Sequence, residues 1–186
     1  MNLEKMFEMQ KVLDDRIIKE KGLEGQDLLP NLILALQVEL AECANEWRGF
    51  KHWSNDREPR TKHPLEVSPN GAFRKGGNPL LEEYVDCLHF ILSIGNRLGI
   101  NDSDTICDIH SEYLRTINGS NTAKLFSFLF SISYSLLHRN LDKETYINLF
   151  TSFFTLGEQL GFTGEQVEAA YMEKNAVNHQ RQQEGY

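Results

Sequence analysis

Between Pro30 and Trp47 the only charged residues are glutamates, in the run Asn31-Leu-Ile-Leu-Ala-Leu-Gln-Val-Glu39-Leu-Ala-Glu42-Cys-Ala-Asn-Glu46-Trp47. At about 100° per residue, Glu39, Glu42 and Glu46 fall within about 60° of one another on a helix. The remainder of that helix is apolar nearly all round and is expected to be buried. No Lys or Arg on the same helix relieves the stripe, and buried unpaired carboxylates are costly or neutralise. A fold that accepts this segment must bring positive charge to it from elsewhere.

A second segment repeats the pattern. Leu80-Leu-Glu82-Glu83-Tyr-Val-Asp86-Cys-Leu-His-Phe-Ile-Leu is acidic in its first half and apolar after. Glu83 and Asp86, three apart, can point the same way on a helix. Two facing helices that offer ExxE and ExxD make a carboxylate-rich pocket suited to hard divalent cations, and Mg²⁺ in such sites brings in substrate phosphates. The plainer reading is that Glu82 and Glu83 favour a helix N-terminus and that Glu46 lies at the surface. A di-iron bundle wants a Glu-x-x-His motif on each of two helices. The chain has Asp86-x-x-His89 and no Glu-x-x-His, so di-iron chemistry is excluded and His89 reads as a core or supporting histidine.

Helical periodicity dominates the rest, with no convincing alternation of strand type. Leu3, Met6, Phe7, Gln10, Leu13 and Ile17 mark one face of a first helix that Gly22 and Gly25 terminate. The glutamate helix runs from about Pro30 to Arg48 or Gly49, and the next acidic helix from about Leu80 to Leu98, stopped by Gly99. Between them, Lys51–Pro79 carries four of the five prolines and more Lys and Arg than Asp and Glu, which predicts a long functional loop. Asn101–Asp104 offers N-caps for a further helix. Apolar helices are expected over about 123–137 and 143–160, and a last helix over 164 to about 183, capped by Gly161-Phe162-Thr163. The expected fold is all-α: a single-domain helical bundle with a core of about 1–100 and 161–186. The helices of about 101–160 are expected to form an appended or dimer-forming layer.

The last helix supplies the missing charge. Tyr171, Lys174, Asn178 and Arg181 share one ridge, with Asn175 and Gln182 beside it. Such a donor array suits phosphate oxygens, although a polar C-terminal helix is also commonly a solvated, fraying end. Lys51, Arg74 and Lys75 in the long loop are open to the same two readings. Gln10 interrupts an apolar face, so its amide is either internally bonded or reads a nucleobase edge. Trp53 either stacks on a base or sugar or packs locally.

Together these residues resemble the dimeric all-α dUTPases, a branch of the all-α nucleoside triphosphate pyrophosphohydrolases that include MazG-like proteins. Glu39-x-x-Glu42 and Glu83-x-x-Asp86 are superfamily features. Phe50-Lys51-x-Trp53 and Lys174-Asn175-x-x-Asn178-x-x-Arg181-x-x-x-x-Tyr186 are more particular to the dUTPase branch. The motifs offer no match over about 100–160 or for Arg74-Lys75-Gly76-Gly77. The resemblance implies that Glu39, Glu42, Glu83 and Asp86 bind Mg²⁺. It further implies that Lys51, Lys174, Asn178, Arg181 and Tyr186 hold phosphates, and that Gln10, Trp53 and Asn175 position deoxyuridine. The implied activity is dUTP diphosphatase: dUTP, and also dUDP, hydrolysed to dUMP by a homodimer, limiting uracil incorporation into DNA. Glu42 and then Glu46 are the expected bases for the attacking water. The alternatives are a MazG-like enzyme for another nucleotide and a catalytically silent helical protein that binds a partner.

A formal charge of −8 argues against bulk binding to nucleic acid. No leader of secretory type opens the chain and no apolar run reaches about 18 residues, so a cytoplasmic protein without membrane contact is expected. Cys43, Cys87 and Cys107 lack CxxC spacing and read as reduced thiols packed in helices.

Overall fold

The structure is a computed structural model that describes residues 1–68, 71–116, 121–137 and 143–185. Its helices are α1 (Leu3–Glu20), α2 (Leu29–Trp47), α3 (Pro79–Leu98), α4 (Ser103–Thr116), α5 (Thr122–Ser135), α6 (Lys143–Gln159) and α7 (Gly164–Gln183). Two short strands, β1 (Leu65–Ser68) and β2 (Gly71–Arg74), pair antiparallel in register Leu65↔Arg74. The architecture is all-α, as expected, with one departure: the segment read as loop contains this hairpin. Four-residue strands between prolines show too little alternation to be recognised by period.

Local chemistry sets the helix ends. Asn2 caps α1 through Lys5 N at 3.1 Å. Asn78 caps α3, and Gly99, in the left-handed conformation at φ 67°, ends it. Thr163 and Gln166 form a reciprocal capping box at the start of α7. Asp102 accepts from Thr105 N at 2.9 Å and so starts α4.

Helix α3 lies at the centre and packs against α1, α2, α6 and α7. Leu80, Tyr84, Leu88, Ile91, Leu92 and Ile94 on it are fully buried. Helix α6 joins the same apolar cluster. The Tyr146 hydroxyl donates to Ile91 O at 3.0 Å, and the Tyr84 hydroxyl donates to Phe153 O at 3.0 Å, with the Tyr84 and Phe153 rings stacked 4.2 Å apart. Buried phenols thus find partners while their rings add to the core. Cys43 and Cys87 are buried in α2 and α3, whereas Cys107 is exposed on α4.

Helix α2 departs from the expectation of near-complete burial. Ile33, Leu36, Leu40 and Cys43 face inward, but Leu34 is 63% and Val38 46% exposed. No helix among the described residues is long and apolar enough to cross a membrane.

The α3–α6 contact leaves no room at Gly95, where an added Cβ would run into the Tyr146 phenol and the Phe7 ring. Gly95→Ala is therefore expected to cost about 1–3 kcal/mol. In urea the unfolding midpoint should fall with an unchanged slope, and an unmoved midpoint would contradict this packing.

Candidate active site

Because α2 and α3 pack along their apolar faces, their acidic positions meet at the edge of the contact. Glu39, Glu83 and Asp86 each present a carboxylate oxygen, all within 4.8 Å of one another. Burial pushes Glu39 up to about 7, and Asp86, Glu42 and Glu83 reinforce it. Burial likewise pushes Glu83 up to about 7, with help from Asp86, Glu42 and Glu46. Asp86 is raised by burial although it accepts a hydrogen bond from the Lys174 ammonium. Glu42 is exposed and Glu46 half-buried, both close enough to act on the cluster by charge.

Lys174 reaches Asp86 from α7, the helix whose donors the sequence sets on one ridge. Lys174, Asn178, Arg181 and Gln182 line a cavity of about 570 Å³ that also touches Glu39 and Asp86. The cavity continues between α1 and α3 past His89, Phe90 and Ser93. It ends against Ile17, Ile18, Leu23, Leu28 and Leu32.

A buried polar network forms the middle of its wall. His89 Nδ1 lies 2.7 Å from Gln10 Oε1. An amide oxygen can only accept, so Nδ1 carries the proton and Nε2 is a bare acceptor. Burial pushes His89 down to about 3, which keeps the ring neutral. The Tyr171 ring stacks on it at 4.4 Å, and its hydroxyl donates to Gln10 Oε1 and Met6 O, each at 3.1 Å. Gln10 Nε2 donates to Asp14 Oδ1 at 2.9 Å and to Ser93 Oγ at 3.0 Å, and Ser93 Oγ donates to Asp14 Oδ1 at 3.0 Å.

The sequence-derived site residues thus divide. Glu39, Asp86, Lys174, Asn178 and Arg181 line one cavity, and Glu83 lies against Glu39 and Asp86. Gln10 lines it as well, but its amide is fully bonded to protein groups, which makes it a positioning residue. Asn175 is buried and is not part of the cavity wall. Trp53 is 68% exposed and packs edge-on against Phe50 and His52, away from the cavity. Lys51 sits over the Phe50 ring, 5.5 Å from its centroid, and also stands apart. Tyr186 lies outside the described residues. Asp14, Ser93 and Phe90 are cavity residues that the sequence reading passed over. The i, i+4 spacing of Gln10 and Asp14 is the one signal that could have found Asp14.

Clustered hard oxygen donors beside a cationic ridge suit a divalent cation and the phosphate oxygens it carries. The family model described as dUTPase matches residues 2–67 and 71–186. The chain belongs to the dUTPase family, in its all-helical type. The match extends over 101–160 and most of the long loop, where the sequence motifs had offered none. No curated protein matches the chain.

Glu39 and Glu83 hold protons more tightly folded than unfolded. Their contribution to stability is therefore present below the ordinary carboxylate value of 4.5 and is lost as pH rises through about 7. In metal-free protein, Glu83→Gln should raise Tm at pH 8 and leave it unchanged at pH 4.5. Equal shifts at both pH values would contradict the crowded cluster.

Proposed function

We propose that the chain is a Mg²⁺-dependent dUTP diphosphatase that converts dUTP and water to dUMP and pyrophosphate, and dUDP to dUMP and phosphate. The observation that carries this reading is the single cavity in which Glu39 and Asp86, two of three crowded carboxylates, meet the cationic ridge of Lys174 and Arg181, with apolar side chains lining the remainder. Family membership supports the nucleotide.

Glu39, Glu83 and Asp86, with Glu42 beside them, fit Mg²⁺ by donor type and spacing. Bound there, Mg²⁺ supplies a Lewis acid and a water of lowered pKa. Lys174, which pairs with Asp86, is placed where its ammonium would donate to a phosphate oxygen held beside the carboxylates. Arg181 and Asn178 donate to the same chain of phosphates and stabilise charge that builds on the transferring group. Glu42, exposed at the edge of the cluster, takes the proton from the attacking water, with Glu46 one turn further as the second choice. Phe90 offers an aromatic face to the pyrimidine, and the polar network on its flank offers hydrogen bonds.

We place the homodimer contact on α2 and α5. These helices pack side by side and expose Leu34, Val38 and Tyr134, with Leu137 exposed just past the end of α5. Leu34→Glu with Val38→Glu should turn a dimer into a monomer in sedimentation velocity. A dimer that survives both changes would move the contact elsewhere.

Pyrophosphate release from dUTP should depend on Mg²⁺, stop with EDTA, and be weak with dCTP, dTTP and UTP. Glu39→Ala or Asp86→Ala should abolish turnover with little unfolding, and Lys174→Met should lower kcat by roughly 100-fold or more. Full activity in the carboxylate variants would overturn the site. Release from a different nucleotide alone would keep the chemistry and overturn the base.

A further inference from the structure

Asp14 sits in the cavity wall between the phosphate end and the apolar end, and its two carboxyl oxygens are not equivalent. Oδ1 accepts from both Gln10 Nε2 and Ser93 Oγ. Among the described residues no donor reaches Oδ2. Two donors hold Oδ1 as the acceptor, so a proton on this carboxyl group resides on Oδ2, the oxygen free for a ligand. The backbone makes the position rigid: Gln10 and Asp14 are one helical turn apart, and Gln10 is itself held by His89 and Tyr171.

We propose that Asp14 selects the base, donating a hydrogen bond from its carboxyl group to a carbonyl oxygen of a pyrimidine with an imide edge, the uracil type. This rests on the nucleotide reading of the cavity given above and names the residue that discriminates within it. An amino group in place of that carbonyl, as in cytosine, would bring donor against donor. An ionised Asp14 would bring acceptor against the uracil carbonyl.

The surroundings favour the protonated form. Burial raises Asp14 to about 6, against the lowering effect of its bonds to Gln10 and Ser93. On α1, Asp15 raises it further and Lys11 lowers it, with Lys11 itself paired to Asp15 at 2.5 Å. On α3, His89 is neutral and the Arg97 guanidinium donates to Gln26 O. On α7, Tyr171 carries a neutral phenol, and Lys174 and Arg181 line the cavity nearer its phosphate end. Glu39 faces the same cavity from α2. A carboxyl group near 6 is mostly a donor at pH 5 and mostly an acceptor at pH 7.5.

The test is calorimetric binding of deoxyuridine and deoxycytidine to the full chain without metal, from pH 5 to pH 7.5, alongside Asp14→Asn. The nucleosides carry no phosphate, so the readout is independent of hydrolysis. Affinity of the unaltered protein for deoxyuridine should fall by roughly 30-fold over that range as the donor form is depleted. Asp14→Asn, whose amide is a permanent donor, should hold affinity level and exceed the unaltered protein at pH 7.5. Parallel pH curves for the two proteins would overturn the proposal, as would absence of deoxyuridine binding. Should the variant not fold, proton uptake decides. Deoxyuridine binding at pH 7, measured in buffers of different ionisation enthalpy, should take up close to one proton, and none taken up would overturn it. Pyrophosphate release from dUTP with a level pH profile for deoxyuridine would sink this proposal and leave the hydrolase reading standing.

Discussion

Three carboxylates held within 4.8 Å of one another are the constraint on which the rest of the structure depends. Apolar packing of α2 on α3 forces Glu39, Glu83 and Asp86 together, and repulsion and lost hydration oppose that packing. Two responses are visible. Protons are held more tightly on Glu39 and Glu83, and α7 delivers Lys174 to Asp86. The second response explains why a helix with little apolar periodicity docks at all. Val167 and Tyr171 anchor its first half in the core, and beyond them its attachment includes charge. A divalent cation in place of the protons would also relieve the cluster, as the proposed function requires.

The network of Gln10, His89, Ser93, Asp14 and Tyr171 is the second element that ties distant parts together. It joins α1, α3 and α7 beneath the cavity, with Gln10 as the member that contacts all the others. Buried polar groups are costly when left unpaired, so a Gln whose amide is fully occupied fixes the orientation of every neighbour. The neutral His89 and the raised Asp14 follow from the same burial. On the proposed function, such an arrangement would serve a site that reads a small polar ring beside strongly charged phosphates. Glu39, Asp86, Lys174 and Arg181 line one part of the cavity, and the neutral His89 lies with Asp14, whose ionisation burial delays, along its wall.

The helices and the acidic cluster were legible because both are local patterns. Glu39 and Glu42, or Glu83 and Asp86, are three residues apart, and helical geometry alone aligns them. Caps such as Asn78, Gly99 and Thr163 are equally local. What was not legible depends on partners far along the chain. Whether Gln10 reads a ligand or serves the protein is decided by His89 and Ser93, which lie 79 and 83 residues away. In sequence nothing separates Asp14 from the other acids of α1, and only Ser93, brought against it by the fold, does so. Trp53 and Lys51 belong to a recognisable motif, yet their side chains pack around Phe50 in a segment with its own local structure. The exposed stripe of Leu34 and Val38 was hidden because apolar composition does not reveal which face lacks a neighbour.

If the crowded carboxylates hold a divalent cation, Mg²⁺ binding should be measurable by calorimetry at pH 6.5 in two buffers of different ionisation enthalpy. Binding should then expel roughly one proton or more per site, because ligands that carry protons near neutral pH must lose them to coordinate. Glu83→Gln should weaken binding and reduce that release. Absence of Mg²⁺ binding, or binding without proton release, would show that Glu39, Glu83 and Asp86 are not a cation site.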